Sequence, residues 1–120
     1  MADSGPVPRR GEVWIVNFDP TIGSEIQKTR PAVVVSSDGV GRLPVKLVVP
    51  ITDWKLSYSG NIWHIRLDQT KSNGLMKESA ADALQVRSVS VQRFQKRIGR
   101  ISATQMDEIA AAIAAVVEFQ

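Results

Sequence analysis

The sequence predicts a mainly β domain that also contains α-structure: a small, twisted antiparallel half-barrel closed by a C-terminal amphipathic helix. Short runs rich in β-branched and aromatic residues fill most of the chain, and turn signals separate them. A helical apolar period appears only near the end, where it suits one helix packed on a sheet. The length of 120 residues, with 43% hydrophobic and 22% charged residues, is typical of one domain with one core and not of a disordered chain.

Residues 1–9 are expected to form a flexible arm and residues 10–120 a single domain, because Gly5, Pro6 and Pro8 do not sustain regular structure. The start has no secretory apolar core and no run is long enough to span a membrane, so no membrane partner is expected. The absence of cysteine excludes disulfides and thiolate metal sites and agrees with a cytoplasmic location.

The strand candidates, in chain order, are residues 12–18, 32–36, 45–49, 61–67, 83–86 and 97–101. The first is apolar at nearly every position, so it should be buried on both faces, whereas residues 61–67 alternate. Ser90 is expected to cap a short helix over residues 91–94, between the last two candidates.

A capping box predicts where the C-terminal helix begins, because Gln105 follows Ser102 at a spacing of three residues. After it, apolar residues recur at helical spacing: Met106, Ile109, Ala110, Ile113 and Val116. The ordinary role of this stripe is packing on the sheet. A part of it, together with Val117 and Phe119, is the alternative candidate for a dimer contact.

The longest stretch without predicted structure, residues 19–31, carries a cluster of polar groups, and loops of this length in compact domains are usually functional or disordered. Arg30 stands where the loop re-enters the sheet, and Pro31 favours an extended conformation for it. Arg30 is therefore either a rigidly mounted guanidinium or an arginine whose stem covers a barrel end. Thr52 follows a buried strand and would lie near Arg30 if the two strands are neighbours; the alternative is a hydroxyl bonded to its own turn.

Basic and aromatic side chains suggest contact with a polyanion. No acidic residue occurs between Ala83 and Met106, whereas five basic residues do: Arg87, Arg93, Lys96, Arg97 and Arg100. They form either a phosphate-binding patch or a solvated face whose acidic neighbours come from other strands. Trp54 and then Tyr58 are the candidates for stacking on the bases of a single-stranded nucleic acid, and the alternative for Trp54 is a place in the core.

Several segments together resemble the MazF/PemK family of type II toxin endoribonucleases, which have a CcdB/MazF-like, SH3-like fold. They are GEVWIVNFDP, the Gly-Ser-Glu of residues 23–25, the Thr-Arg-Pro of residues 29–31 leading into AVVVSS, then VVPITDW and ESAADALQVRSVS. The resemblance covers nearly the whole chain from Arg10. Where other members usually read Gln-Gly-Gly after the Gly-Ser-Glu, this chain reads Ile26-Gln27-Lys28. Where many carry an acidic residue before the glutamine that matches Gln85, it has Leu84.

The resemblance implies a homodimer that cleaves single-stranded RNA at short sequence motifs and is neutralised by a cognate antitoxin, for which the basic site favours an acidic, MazE-like protein. It also implies that Arg30 and Thr52 match the family's catalytic pair. The expected RNA-binding residues are Ser24, Glu25, Lys28, Trp54, Gln85 and Arg87. No cofactor and no metal are expected, because the sequence has neither a glycine-rich phosphate loop nor zinc-ligand spacing.

The expected reaction is attack of the RNA's own 2′-hydroxyl on the adjacent phosphorus, which leaves a 2′,3′-cyclic phosphate. A single histidine, His64, excludes a two-histidine acid–base mechanism within one chain and is expected to be structural or to lie on the surface. Two rival functions remain. One is a CcdB-like toxin that poisons gyrase without being an enzyme, although residues 117–120 lack the Trp-Gly-Ile ending of such proteins. The other is a small-barrel nucleic-acid-binding module.

Overall fold

A computed structural model describes residues 7–40 and 42–119. In these residues, seven strands form an open antiparallel sheet, and one α-helix packs on one face of it. The elements are β1 (Glu12–Asn17), β2 (Thr29–Val34), β3 (Val45–Asp53), β4 (His64–Leu67), β5 (Ser79–Asp82), β6 (Arg87–Ser90), β7 (Phe94–Arg100) and α1 (Ala103–Val116). The strand order is β4-β5-β3-β2-β1-β7, and β6 pairs with β3 beside β5. The predicted fold class is therefore confirmed, with a sheet that stays open. Residues 1–6 of the predicted arm lie outside the described residues.

The apolar residues of β1 alternate between the two faces of the sheet, which explains why nearly every position of this strand is apolar. Val13 belongs to the cluster that Met106 and Ile109 of α1 cover. Trp14 and Val16 belong to the cluster on the opposite face. Burial on both faces was predicted for this strand and is confirmed.

Helix α1 begins at the predicted capping box: the Ser102 hydroxyl accepts from the Gln105 N–H at 3.1 Å, and the Gln105 side chain accepts from the Ser102 N–H at 3.4 Å. The predicted cap at Ser90 is also confirmed, because its hydroxyl accepts from the Gln92 N–H at 3.2 Å. Among the described residues, no helix has the length and apolar character needed to span a bilayer.

One predicted strand is wrong. Residues 83–86 do not form a strand; a short 3-10 helix, Ala83–Gln85, occupies them and separates β5 from β6. The Asp82 carboxylate accepts from the Leu84 N–H at 3.1 Å and so stabilises the turn at its start. The sequence signal was the capping aspartate, which outweighs the apolar character of the residues that follow it.

Candidate active site

A cleft opens where β2 and β3 separate. The two strands pair only from Val34–Val48 to Ala32–Pro50, although both continue past that point. Pro31 and Pro50 stand at the separation, and a proline has no backbone N–H to donate, so the ladder loses a hydrogen bond there. Beyond it each strand is held from its outer side.

The candidate catalytic pair lies on these two diverging segments. Arg30 of β2 pairs with Val16 of β1, and Thr52 of β3 pairs with Ala80 of β5. Both side chains line one cleft of about 570 Å³. The expectation that Thr52 would lie near Arg30 if their strands are neighbours is therefore met, with Thr52 inside β3 and not after it.

Arg30 is half-buried as a residue, and its guanidinium is fixed at one end only, by an exposed hydrogen bond. Its Nε donates to the backbone carbonyl of Gln27 at 3.1 Å. Within residues 7–40 and 42–119, no ion pair joins Arg30 to a carboxylate. A guanidinium with its Nε anchored and its terminal nitrogens free of a carboxylate is suited to a phosphate group, which its planar donors match.

The walls of the cleft carry further charges whose position local sequence patterns do not predict. Asp53 and Lys77 form an exposed ion pair, Oδ1 to Nζ 3.0 Å, on its wall. Lys96 and Arg97 of β7 line the opposite side. The cleft is thus lined by four basic side chains and one acidic side chain, a balance that favours an anionic ligand.

Arg97 forms an ion pair with Glu12, a residue that is only 4% exposed. Glu12 accepts from Arg97 Nη1 at 3.0 Å, from Trp14 Nε1 at 3.0 Å and from the Arg9 N–H at 2.8 Å. These partners satisfy a charge that would otherwise be costly to bury. These hydrogen bonds make Glu12 a structural residue. Because Arg97 is bound to Glu12, Lys96 is the more available of the two β7 cations in the cleft.

The basic run divides by role. Lys96 and Arg97 line the cleft, whereas Arg93 Nη1 donates to the Asn17 carbonyl at 3.1 Å and also to the Asp19 carbonyl, at the base of the β1–β2 loop (residues 18–28). Arg100 lies with its Nη2 4.0 Å from Glu12. Only part of the predicted patch is therefore directed at the candidate site.

A second depression, of about 470 Å³, lies beside the β1–β2 loop and contains Ser24, Glu25, Gln85 and Arg87. Glu25 is turned back on its own loop, since its carboxylate accepts from the Ile22 N–H at 2.6 Å. Arg87 lies over the ring of Phe18, 5.6 Å from its centroid. Four of the six predicted RNA-binding residues are thus together, but outside the cleft of Arg30 and Thr52.

Lys28 is exposed at the end of the same loop and has a left-handed backbone, φ 69°. This conformation strains an L-residue and is adopted readily by glycine. The resemblance explains it, because the family pattern has glycine at this point. The Lys28 N–H donates to the Asp19 carboxylate at 2.8 Å, which ties the two ends of the loop together.

Trp54 directly follows β3 and lies outside both depressions, in a cluster with Tyr58 and Arg66. Its ring meets Tyr58 edge to face at 6.0 Å, and the Arg66 guanidinium lies 5.3 Å above it. Arg66 is paired with Glu78. The Arg66 guanidinium therefore covers one face of the Trp54 ring, and an RNA base could not stack on that face. Stacking of Trp54 on a base stays a prediction.

His64 is a packed residue, in line with the structural alternative for it. Its ring stacks on Tyr58 at a centroid distance of 3.7 Å, and its Nε2 lies 3.5 Å from the Asp82 carboxylate. Its side chain is only 7% exposed. In the part of the chain that the structure describes, no group of three or more histidine, cysteine or acidic side chains is arranged to hold a metal ion.

Comparison with known proteins points to one family. The family model described as "PemK-like, MazF-like toxin of type II toxin-antitoxin system" matches residues 9–117. Endoribonuclease MazF9 of Mycobacterium tuberculosis is 36% identical over 108 residues, which cover 84% of this chain and 88% of the relative. Endoribonuclease PemK of Escherichia coli is 35% identical over 109 residues, with 83% of this chain and 74% of the relative covered.

Solved structures show the same fold. MazF from Deinococcus radiodurans superimposes with a TM-score of 0.79 at 22% identity, covering 95% of this chain and 99% of that chain. A mycobacterial endoribonuclease in complex with its cognate antitoxin superimposes with a TM-score of 0.73 at 14% identity, covering 95% and 98%. At these identities the likeness concerns the fold alone.

Proposed function

Because this chain belongs to the PemK-like, MazF-like toxins of type II toxin–antitoxin systems, we propose that it is a metal-independent, sequence-specific endoribonuclease that cuts single-stranded RNA. The observation that carries the proposal is the meeting of Arg30 and Thr52 in one cleft with Lys96 on its opposite wall. Messenger RNA as the substrate would place the protein in the cytoplasm.

The reaction requires a nucleophile, and RNA supplies one in its 2′-hydroxyl. This oxygen attacks the adjacent phosphorus, the bond to the 5′-oxygen breaks, and the product strand ends in a 2′,3′-cyclic phosphate. DNA lacks the hydroxyl and should not be cut. The protein's task is then to hold the phosphate, stabilise the charge that gathers on its oxygens, and exchange protons.

Arg30 is suited to charge stabilisation. Its Nε is held by Gln27, and its terminal N–H groups are available for two phosphoryl oxygens. It is not suited to be the base, because a guanidinium has only N–H donors and no acceptor for a proton. Thr52 adds a hydroxyl that can donate to the same phosphate from the other strand.

The basic wall explains how the chain would hold the strand on either side of the cut. Lys96 and Arg97 extend the positive charge of the cleft along β7. Binding should therefore weaken with salt, with a log–log slope of roughly −0.7 for each phosphate contacted on a single strand. An affinity for uncleavable RNA that does not change with salt would exclude this wall as the RNA site.

The proposed partners are a second copy of the chain and an antitoxin. Val117 and Phe119 are 66% and 75% exposed at the end of α1, which leaves this end free for a dimer contact. A basic cleft favours an acidic antitoxin segment that displaces RNA. RNA and antitoxin binding together at full strength would contradict this competition.

The experiment that tests the function is incubation of the purified chain with a long single-stranded RNA in excess EDTA. Cleavage is expected to persist, to spare a DNA strand of the same sequence, and to leave 2′,3′-cyclic phosphate ends. A strict need for Mg²⁺, or products with a 3′-hydroxyl, would overturn the mechanism. Binding without any cleavage would favour a nucleic-acid-binding module instead.

A further inference from the structure

We propose that Gln85 is a positioning residue for Arg30, and that it acts through the backbone of the β1–β2 loop without contacting RNA. The inference rests on the proposed function, since it concerns the cleavage that Arg30 is proposed to support. It assigns Gln85 a role different from the direct RNA contact that its sequence position suggested.

The side chain of Gln85 holds the β1–β2 loop at two points. Its Oε1 accepts from the Ile26 N–H at 2.6 Å, and its Nε2 donates to the Ser24 carbonyl at 3.1 Å. The residues joined in this way are 59 and 61 positions apart in the chain. An amide that both donates to and accepts from one loop fixes the position of that backbone in two directions.

The held segment is the one on which Arg30 depends. The carbonyl that anchors the Arg30 Nε belongs to Gln27, the residue directly after Ile26. Gln85 is therefore connected to Arg30 in three steps: its side-chain amide holds the Ile26 N–H, the Ile26–Gln27 peptide follows, and the Gln27 carbonyl accepts from the Arg30 Nε. The Gln27–Lys28 peptide is also held at its other end, where the Lys28 N–H donates to the Asp19 carboxylate. If the Ile26 N–H is released, the peptide is held on that side alone, so the Gln27 carbonyl can tilt about this bond and the guanidinium loses part of its fixed direction in the cleft.

The backbone around Gln85 is shaped for this contact. Between the Ile51–Ala81 and Val48–Arg87 pairs, three steps along β3 correspond to six steps along β5 and β6. The three extra residues form the 3-10 turn that carries Gln85, and the Asp82 cap stabilises that turn. The interruption of the strand thus directs a side chain away from the ladder and towards the loop.

A direct RNA contact is the less economical role for Gln85. Both ends of its amide already have partners in the loop, and one N–H remains. It also lies in the second depression, whereas Arg30 and Thr52 lie in the cleft. Loss of Gln85 should consequently lower the cleavage rate more than the affinity for RNA.

The test compares Gln85→Leu, which keeps the size but removes both hydrogen bonds, with Gln69→Leu at an exposed glutamine outside both depressions. Small displacements of a positioned group cost up to about 10²-fold in rate, so single-turnover cleavage by Gln85→Leu should fall about 10- to 100-fold. Its affinity for an uncleavable RNA should stay within twofold of the wild type, and Gln69→Leu should match the wild type in both. A fall in affinity as large as the fall in rate would overturn the proposal.

Two readouts separate positioning from general damage. Hydrogen exchange of the Ile26 amide should be faster in Gln85→Leu than in the wild type, while amides of β1 keep their protection. In a double-mutant cycle, Gln85→Leu should slow the Arg30→Ala protein by less than twofold, because there is no guanidinium left to position. Equal slowing in both backgrounds would show that Gln85 acts independently of Arg30.

The outcomes also distinguish the two proposals. If the wild-type chain cleaves no RNA, the proposed function fails and this inference fails with it. If the wild type cleaves and Gln85→Leu cleaves equally fast, only the inference fails. If the Ile26 amide exchanges at the same rate in the wild type and in Gln85→Leu, the hydrogen bond from Ile26 to Gln85 is absent in solution, and the inference fails.

Discussion

Two connections shape the cleft and are built differently: the turn between β4 and β5 lines it, and the β1–β2 loop leads directly into the strand that carries Arg30. The turn between β4 and β5 is fixed from within by a buried asparagine and by glycines that allow close contact with β7. The β1–β2 loop has internal hydrogen bonds, but it is also held from outside, by Gln85 at its tip and Arg93 at its base. The first is a structural support and the second leads into β2, which carries Arg30. One wall of the cleft is therefore fixed by close backbone contact, and the other depends in part on long-range polar contacts.

The support has little room for change. Asn73 is only 1% exposed, its Oδ1 accepts from the Leu75 and Thr70 N–H groups, and its Nδ2 donates to the Asp68 carbonyl at 2.8 Å. Gly74 has a φ of +70°, and a Cβ placed on it would lie 2.1 Å from the Ile98 carbonyl oxygen. The turn and β7 therefore touch backbone to backbone.

The difference between the two connections predicts that stability and activity can be lost separately. The largest effect is expected for Arg30→Ala. Loss of one preorganised donor costs about 10²–10³ in rate, and a charged two-pronged donor should cost at least that. Arg30→Lys should recover little, because it keeps the charge but not the fork. Single-turnover cleavage of a substrate with one ribonucleotide measures this.

Thermal melts of the same variants provide the control. Arg30 is half-buried at a strand end, so neither substitution should unfold the protein. A near-normal cleavage rate for a folded Arg30→Ala protein would remove Arg30 from the mechanism.

The reverse pattern is expected for Gly74→Ala. A left-handed backbone and an overlap with β7 together should lower the free energy of unfolding by about 2–4 kcal/mol. Gly60→Ala is the matched control, because Gly60 has a φ of +92° but nothing within 4 Å of the added Cβ. In urea denaturation, the loss of unfolding free energy for Gly74→Ala minus the loss for Gly60→Ala measures the effect of the contact with β7. Equal losses would show that the contact does not restrict the turn.

Thr52 should contribute less than Arg30. Thr52→Ala removes a neutral donor and should reduce turnover by roughly 10²-fold or less, while Thr52→Ser should keep much of the activity. Thr52→Val preserves the shape and should behave like the alanine variant. A Thr52→Val protein as active as the serine variant would assign Thr52 to packing.

The smallest effect, and the only gain, is expected for Lys28→Gly. The left-handed conformation costs an L-residue about 1–2 kcal/mol, and the greater freedom of unfolded glycine offsets about 0.4–1 of this, so the net gain in stability is about 0.5–1 kcal/mol. Lys28→Ala removes the same charge but keeps the strain, so it should show no gain. If both variants change stability equally, the charge of Lys28 is responsible and not its backbone.

Local sequence patterns predicted the parts of the fold that depend on local causes. Glu12–Asn17 is a strand because its residues suit a surface buried on both faces, and Ser102 begins the helix through a cap that spans three residues. Ser79–Asp82 was not predicted, because serine, alanine and aspartate have weak β-propensity. All four residues are buried, so tertiary packing holds them in the sheet.

The candidate site was predicted in part for the same reason. Arg30 and Thr52 follow from strand ends and from the family resemblance, and the structure brings them together. Their roles stay a prediction. The wall formed by Lys96 and Arg97 could not be predicted from local patterns, because the Glu12–Arg97 hydrogen bond joins residues 85 positions apart. Likewise, Gln85 reads as one polar residue among apolar ones until the loop it holds is known.

The position of β1 has a consequence for the moment at which the protein acquires its site during synthesis. β1 lies between β2 and β7, so β1 finds its second neighbour only after β7, which is made later than the other six described strands, has left the ribosome. The cleft is lined by residues from Ile15 to Ile98. A nascent chain stalled before Phe94 has the strand with Arg30 but not the wall with Lys96. For a protein that would cut messenger RNA, this order delays a complete site until the chain has been made at least as far as β7.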